Sequence, residues 1–307
     1  MMLTFAFCTF NRASRISRLV ESMRAQDCPV PFEILAINNN STDNTVEVLT
    51  AQAAQPGAPL RFVTETQQGI VPARNRAIEE AIGSDVLVFI DDDELPVAGL
   101  LRAAHSAIAT EGAQCAGGRI TIDLGENERP TWLDDEVAGF LGELDHGASP
   151  FWIEDASRPV WCGNIAYNMR LFRENPQLRF DLRYNRAGEG IGGGEDAMMF
   201  RTLLAQGARI RYRPDMGVLH AVDDWKLKRS YFLRLHYLAG VRQGRYRLPS
   251  YDRTLFDVPP FLVVQFLRQA MRSIGMQITQ RPGSLRQAMN AINTFGCLVG
   301  YRQRTRP

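Results

Sequence analysis

Val86-Leu87-Val88-Phe89-Ile90 runs straight into Asp91-Asp92-Asp93-Glu94. An unbroken apolar, β-branched run of this length reads as a strand buried on both faces of a parallel sheet. Open α/β sheets take their ligands at the carboxyl ends of the strands, where these four acids fall. Carboxylates crowded there repel one another and call for counter-charge. A hard divalent cation held through oxygen, bridging to substrate phosphates, is the simplest supply. The stretch predicts an α/β fold with a metal–phosphate site at one sheet edge.

The flanking sequence alternates in the same way. Strands are predicted at Leu3–Thr9, Phe32–Ile37 and Leu60–Glu65. Helices are predicted over Ala13–Gln26, from Ser41 or Thr42 to about residue 54, over Pro72–Ile82, and from Pro96 to about residue 110. This spacing implies a mostly parallel central sheet with right-handed crossovers. The strand ends then share one edge: Thr9-Phe10-Asn11-Arg12, Asn38-Asn39-Asn40-Ser41-Thr42-Asp43 and Asp91-Asp92-Asp93. Gly69-Ile70-Val71-Pro72-Ala73-Arg74-Asn75 opens a helix beside them. A glycine before a helix N-terminus lets an anion approach, and Arg74 adds positive charge.

Beyond this the pattern changes. Gly117–Asp123 reads as a strand, and residues 126–157 show no clear period. Val160–Arg170 predicts one or two short strands, and Gly188, Gly190, Gly192, Gly193 and Gly194 a flexible loop. Glu195–Gln206 is a helix, and Arg209–Tyr212 and Gly217–His220 are two short strands. From Lys228 the chain reads as helical and basic, broken at Pro259-Pro260 and Arg281-Pro282-Gly283.

Composition bounds the function. With 307 residues, 45% of them hydrophobic, the chain can build one large α/β domain with an appendage, or two small domains. A net charge of +1 carries no field for nucleic acid. Five scattered cysteines without C-x-x-C spacing argue against a zinc site or disulfide framework, and suit a reducing compartment. No run reaches the ~20 apolar residues of a membrane span, and none reads as a targeting signal. The expected location is the cytoplasm.

Taken in order and spacing, these pieces, with Gly194-Glu195-Asp196, resemble the family 2 glycosyltransferases over roughly residues 3–220. These are inverting sugar-nucleotide enzymes of the GT-A type. The resemblance implies a GT-A, Rossmann-like domain over 1–225 for donor binding and catalysis, with a helical basic extension over 226–307. It implies a nucleotide-sugar donor, foremost a UDP-sugar, and a saccharide or lipid-linked acceptor in cell-surface polysaccharide or glycan assembly. Mn2+ or Mg2+ is the implied cofactor. Asp91 and Asp93 match the family's D-x-D motif, with Asp93 as metal ligand and Asp91 or Asp92 facing the ribose. Asn39 falls where the family contacts uracil, and Asn38 departs from the family's frequent aspartate. Thr9, Asn11, Arg12, Asp43 and Arg74 complete the implied donor side. Asp196 matches the aspartate of the E-D motif and is the implied base. Glu195, Trp161, Gly163 and Asn164 lie on the implied acceptor side, and His220 is the implied second metal ligand.

Plainer readings exist for several of these residues. Asp91–Glu94 suit a helix start, Asn38–Asp43 a turn and N-cap, and Arg74 a solvated helix face. His220 suits a structural strand end, and the glycines a passive loop rather than a lid over the donor. The basic helices either pack on the catalytic domain or lie peripherally on the anionic inner face of a membrane. A sugar-1-phosphate nucleotidyltransferase is disfavoured because Thr9-Phe10-Asn11-Arg12 contains no glycine. A non-catalytic sugar-nucleotide-binding subunit is disfavoured by the joint presence of Asp91, Asp93 and Asp196.

Overall fold

A computed structural model describes residues 1–186, 190–254 and 257–304; the predicted loop glycine Gly188 lies outside them. In chain order the elements begin with β1 (Leu3–Thr9), α1 (Ala13–Arg24), β2 (Phe32–Asn38), α2 (Thr45–Ala53), β3 (Leu60–Thr64), α3 (Ile70–Glu80), β4 (Val86–Ile90) and β5 (Glu94–Pro96). Next come α4 (Leu100–His105), β6 (Cys115–Asp123), α5 (Asp135–Ala138), β7 (Phe151–Ile153), β8 (Asn164–Asn168), α6 (Arg170–Glu174), α7 (Glu195–Ala205) and β9 (Ile210–Ala221). The last three are α8 (Arg229–Arg242), α9 (Pro260–Ile278) and α10 (Ser284–Arg302).

The sheet order is β3-β2-β1-β4-β8-β6-β9-β5, with β7 pairing β9. The first four strands are parallel, and Leu3 faces Phe32 on one side and Val86 on the other. Thr9, Asn38, Thr64 and Ile90 therefore end on one edge. β8 runs antiparallel to β4 with Asn164 opposite Ile90, which brings the Trp161–Asn164 turn to that edge. Strands buried on both faces need apolar residues at every position, as β4 has. The flanking helices cover the sheet with Ile16, Leu19, Val20 and Met23 of α1 and Val71, Ala77 and Ile78 of α3, all buried. This is the GT-A type architecture, a Rossmann-like mixed sheet with a helical C-terminal extension.

Two expectations are corrected. Pro96 does not start a helix, because Glu94–Pro96 pairs antiparallel with Val218–His220 of β9. This strand ends the sheet, where a residue without an N–H is tolerated. The two short strands predicted around 209–220 form one strand, β9, held along both sides by β6 and by β5 and β7. The β6–β9 register shifts between Gly118 and Ile120, which accommodates Pro214 within β9.

The chain divides into two compact units. The first comprises 1–125, 142–190 and 195–222; the second comprises 126–141, 191–194 and 223–307. In the second unit α8 and α10 meet backbone to backbone. Gly240 and Gly244 lie four apart on α8 and its continuation, and Gly296 and Gly300 four apart on α10. A Cβ on Gly240 would sit 2.0 Å from the Asn293 carbonyl oxygen, and one on Gly300 1.9 Å from that of Val241. Only small residues permit this approach. Gly300→Val is expected to destabilise the second unit by about 3 kcal/mol, the upper end of overpacking costs, read as a lowered chemical-denaturation midpoint.

Candidate active site

The end of β4 closes on itself. The Asp91 N–H donates to Glu94 Oε2 at 2.7 Å, and the Glu94 N–H donates to the Asp91 carbonyl at 3.1 Å. Glu94 is buried. Burial foremost, then the charges of Asp91 and Asp93, push its carboxyl well above the usual range. Gly163 passes so close that a Cβ there would be 2.6 Å from Glu94 Oε1. Asp93 follows in the same turn, and its carbonyl accepts the Ala221 N–H at 2.8 Å. Its Oδ2 lies 3.4 Å from His220 Nε2 and 4.0 Å from Arg15 Nη1. Asp92 is pushed up to about 7 by burial and then by the Asp93 charge, against the Thr9 hydroxyl and Arg12.

Arg74, expected against donor phosphates, is only 3% exposed. Its Nη1 donates to Glu195 Oε1 at 2.7 Å and its Nη2 to Asp91 Oδ1 at 2.9 Å. It bridges the β4 turn to the first residue of α7. The amides expected to cradle an anion at the start of α3 already have partners. Ile70 N–H donates to the Arg186 carbonyl at 3.1 Å, Val71 N–H to Asn185 Oδ1 at 3.2 Å, and Gly69 N–H to Asn39 Oδ1 at 2.6 Å. Gly69 has φ +133°, and a Cβ on it would strike Asn185 Oδ1 at 2.1 Å, so this position requires glycine.

Asn39, expected at the base, is buried and hydrogen-bonded on every side. Its Nδ2 donates to the carbonyls of Glu65 and Gln67, and its Oδ1 also accepts from Gln68. It secures the loop between β3 and α3. Asn38 likewise donates to Thr64 and accepts the Ser41 N–H. Asn11, at φ 52°, accepts the Thr42 N–H at 2.8 Å on its Oδ1, and its own N–H donates to Ser41 Oγ. Asp43 accepts the Ala13 and Thr45 N–H groups at the starts of α1 and α2. The Arg12 N–H donates to Thr45 Oγ1 at 3.3 Å. The β1 and β2 ends are thereby stitched into one rim.

Asp196 is the second residue of α7 and accepts the Ala197 N–H at 2.7 Å. Burial foremost, then the Glu195 charge, push its carboxyl up to about 6, against Arg74 and the Ala197 amide. A carboxylate with a pKa near the working pH suits proton abstraction. Trp161 is half-buried. Asn164, expected on the acceptor side, is buried, and its Nδ2 donates to the carbonyls of Arg119 and Met216.

Asp93 and His220 are the residues that could hold a divalent cation at this edge. His220 Nε2 faces Asp93 Oδ2, and its buried Nδ1 has no hydrogen-bond partner among the described residues. No group of three or more His, Cys, Asp or Glu converges to hold a metal among the described residues. Mg2+-like ions commonly take one or two protein ligands and complete their shell with substrate phosphates and water.

The Glycosyl transferase family 2 model matches residues 4–175, more than half of the chain. The chain belongs to this family. The succinoglycan biosynthesis protein ExoO of Rhizobium meliloti (strain 1021) is 29% identical to this glycosyltransferase-family chain over 240 residues, 76% of this chain and 64% of ExoO. The chain thus spans less than two thirds of the length of that relative. The mannosyltransferase PcManGT from Pyrobaculum calidifontis, solved with GDP-Man and Mn2+, superposes with a TM-score of 0.61 at 16% identity, covering 97% of this chain and 86% of PcManGT. S. aureus TarS 1-349 with UDP-GlcNAc gives 0.54 at 15% identity, covering 97% and 90%. At such identities the structures show a shared fold.

Three residues of this family 2 chain hold the site without having been assigned a role from sequence. Glu94 closes the β4 turn, Arg15 faces Asp93, and Asn185 caps α3. Glu94 stood in the acidic run as a signal. Asn185 had none, because its partners lie 114 and 117 residues away.

Proposed function

We propose that the chain is a metal-dependent inverting glycosyltransferase. It moves a sugar from a nucleotide-sugar to a saccharide or lipid-linked saccharide acceptor in cell-surface polysaccharide assembly. The observation that carries this reading is the Arg74 bridge, which sets the E-D residues of α7 against the D-x-D turn of β4. ExoO's name supports polysaccharide assembly.

Asp196 takes the proton of the acceptor hydroxyl. That oxygen forms its bond to the anomeric carbon as the carbon–phosphate oxygen bond breaks, and the nucleoside diphosphate departs. Asp93 and His220 would hold Mn2+ or Mg2+, which supplies positive charge against the departing diphosphate. Asp91, fixed by Arg74, or Asp92 faces the ribose. Asn39 acts on the base indirectly, by fixing the loop between β3 and α3. Gly163 and Trp161 shape the acceptor side, and Asn164 holds their turn in place. The division proposed for this activity is 1–225 and 226–307, whereas the compact units count 126–141 and 191–194 with the second.

The test is a thermal-shift screen with UDP-, GDP-, dTDP- and CMP-sugars, with and without Mn2+. A Mn2+-dependent rise with one donor, lost in Asp93→Ala, is expected. UDP-sugars lead the panel, and the GDP-Man bound by PcManGT makes GDP-mannose the second arm. No rise with any donor would sink the reading.

The pH dependence follows from the raised carboxyls. Asp196 must be ionised to act, so kcat/KM is expected to fall about tenfold per pH unit below about 6 and to level off above it. Asp92 is pushed up to about 7, so its neutral form stabilises the fold at low pH. That contribution is full below the unfolded value of 3.8 and is lost as pH rises through 7. The melting temperature of the wild type is therefore expected to fall more between pH 5 and pH 8 than that of Asp92→Asn, which cannot ionise. Equal falls in wild type and variant would contradict this.

A further inference from the structure

Helix α9 buries Leu262 and Ser273 on one side. The opposite side carries Phe261, Val264, Leu267, Met271, Ile274 and Ile278, three or four residues apart and therefore in one stripe. These six side chains are 46 to 77% exposed. Isolated exposed apolar residues need no explanation, but a contiguous row along a 19-residue helix does.

The charge on α9, α10 and the turn between them is of one sign. From Val258 to the last residue the sequence holds seven arginines and no lysine, aspartate or glutamate. Arg268 and Arg272 are exposed on α9 itself, and Arg281 follows in the turn before α10. A second copy docking through this stripe would bring arginines toward arginines with no acid on either helix to pair them. An anionic lipid surface supplies the missing charge and a solvent for the stripe. No helix among the described residues is long and apolar enough to cross a bilayer, and α9 has two arginines in its middle turns. Its geometry is that of a helix lying in the interface.

We propose that α9 is an in-plane docking helix for an anionic membrane surface, with the Phe261–Ile278 stripe in the acyl boundary and Arg268 and Arg272 at the phosphate level. The proposal deepens the lipid-linked acceptor reading and rests on it for its purpose. Its assay uses no sugar nucleotide and no acceptor, so the two can fail separately.

The experiment is flotation of the whole chain with vesicles of phosphatidylcholine alone or with phosphatidylglycerol. Light scattering on the same samples without lipid reports the oligomeric state. Binding to the anionic vesicles, weak on neutral ones and reduced by salt, is expected. Leu267→Glu/Met271→Glu should lower the partition coefficient more than tenfold with unchanged circular dichroism, both positions already facing solvent. Arg268→Gln and Arg272→Gln should each lower it about fivefold, the equivalent of about 1 kcal/mol. Absence of anionic-vesicle binding in the wild type would overturn the proposal, as would binding that ignores the α9 substitutions. A solution dimer dissociated by Leu267→Glu/Met271→Glu would also overturn it, and would assign the stripe to a second copy.

Discussion

Asp196→Asn is expected to lower kcat by about a hundred- to ten-thousand-fold, the range assigned to a positioned general base. Donor affinity should change only a few-fold. Asparagine keeps the shape of the side chain and the acceptor oxygen for the Ala197 N–H, so the start of α7 stays intact. What it cannot do is accept a proton at a carboxylate. The pH profile supplies a second signature. The rise of kcat/KM through about pH 6 should vanish in the variant, leaving a low, flat rate. Single-turnover transfer to a soluble acceptor, beside donor binding by calorimetry, separates the two effects. Retention of kcat within tenfold would move the base elsewhere.

Arg74→Leu should be the most destabilising single change in the site. The guanidinium is buried and makes one charge-assisted bond to each of two carboxylates on separate elements. Glu195 is itself only 4% exposed, and its Oε2 has no hydrogen-bond partner among the described residues. Removing the cation leaves a buried carboxylate uncompensated, at about 3–5 kcal/mol. For a unit of this size that lowers the unfolding midpoint by roughly 10 °C. Arg74→Lys should rescue little, since one ammonium cannot reproduce the fork that reaches both partners. Arg74→Leu/Glu195→Leu should recover much of the midpoint but not the activity, because Asp91 and α7 stay untethered. Differential scanning fluorimetry with a transfer assay reads both. An Arg74→Leu midpoint within 2 °C of wild type would refute the bridging role.

The sheet and the edge that carries the candidate site were legible because both depend on local pattern. Val86–Ile90 could be read as a doubly buried strand from five residues, and the acids that follow as its carboxyl end. The Ala13 and Glu195 helix starts were likewise local. What escaped the sequence depends on partners far along the chain. Pro96 looks like a first-turn proline until β9, more than a hundred residues later, pairs with it. Arg74 and Asn39 have side chains suited to holding a ligand. Whether they hold substrate or scaffold depends on Glu195, 121 residues away, and on backbone atoms of the β3–α3 loop. Residues 126–157 showed no period because they divide between the two units and form only short elements.

The pairing of β5 with β9 bears on how such an enzyme could be retooled. Asp93 and His220 sit on neighbouring backbones joined by the Ala221–Asp93 hydrogen bond, so their separation is set by main-chain geometry. Asp196 is positioned by one side-chain bridge through its neighbour Glu195. Diversification of the proposed acceptor side can therefore vary the half-buried Trp161 without disturbing Asp93 and His220, whereas Cys162 is buried in the core against the Tyr167 hydroxyl and has to be kept. Gly163 has no such latitude, because Glu94 fills the space beside it.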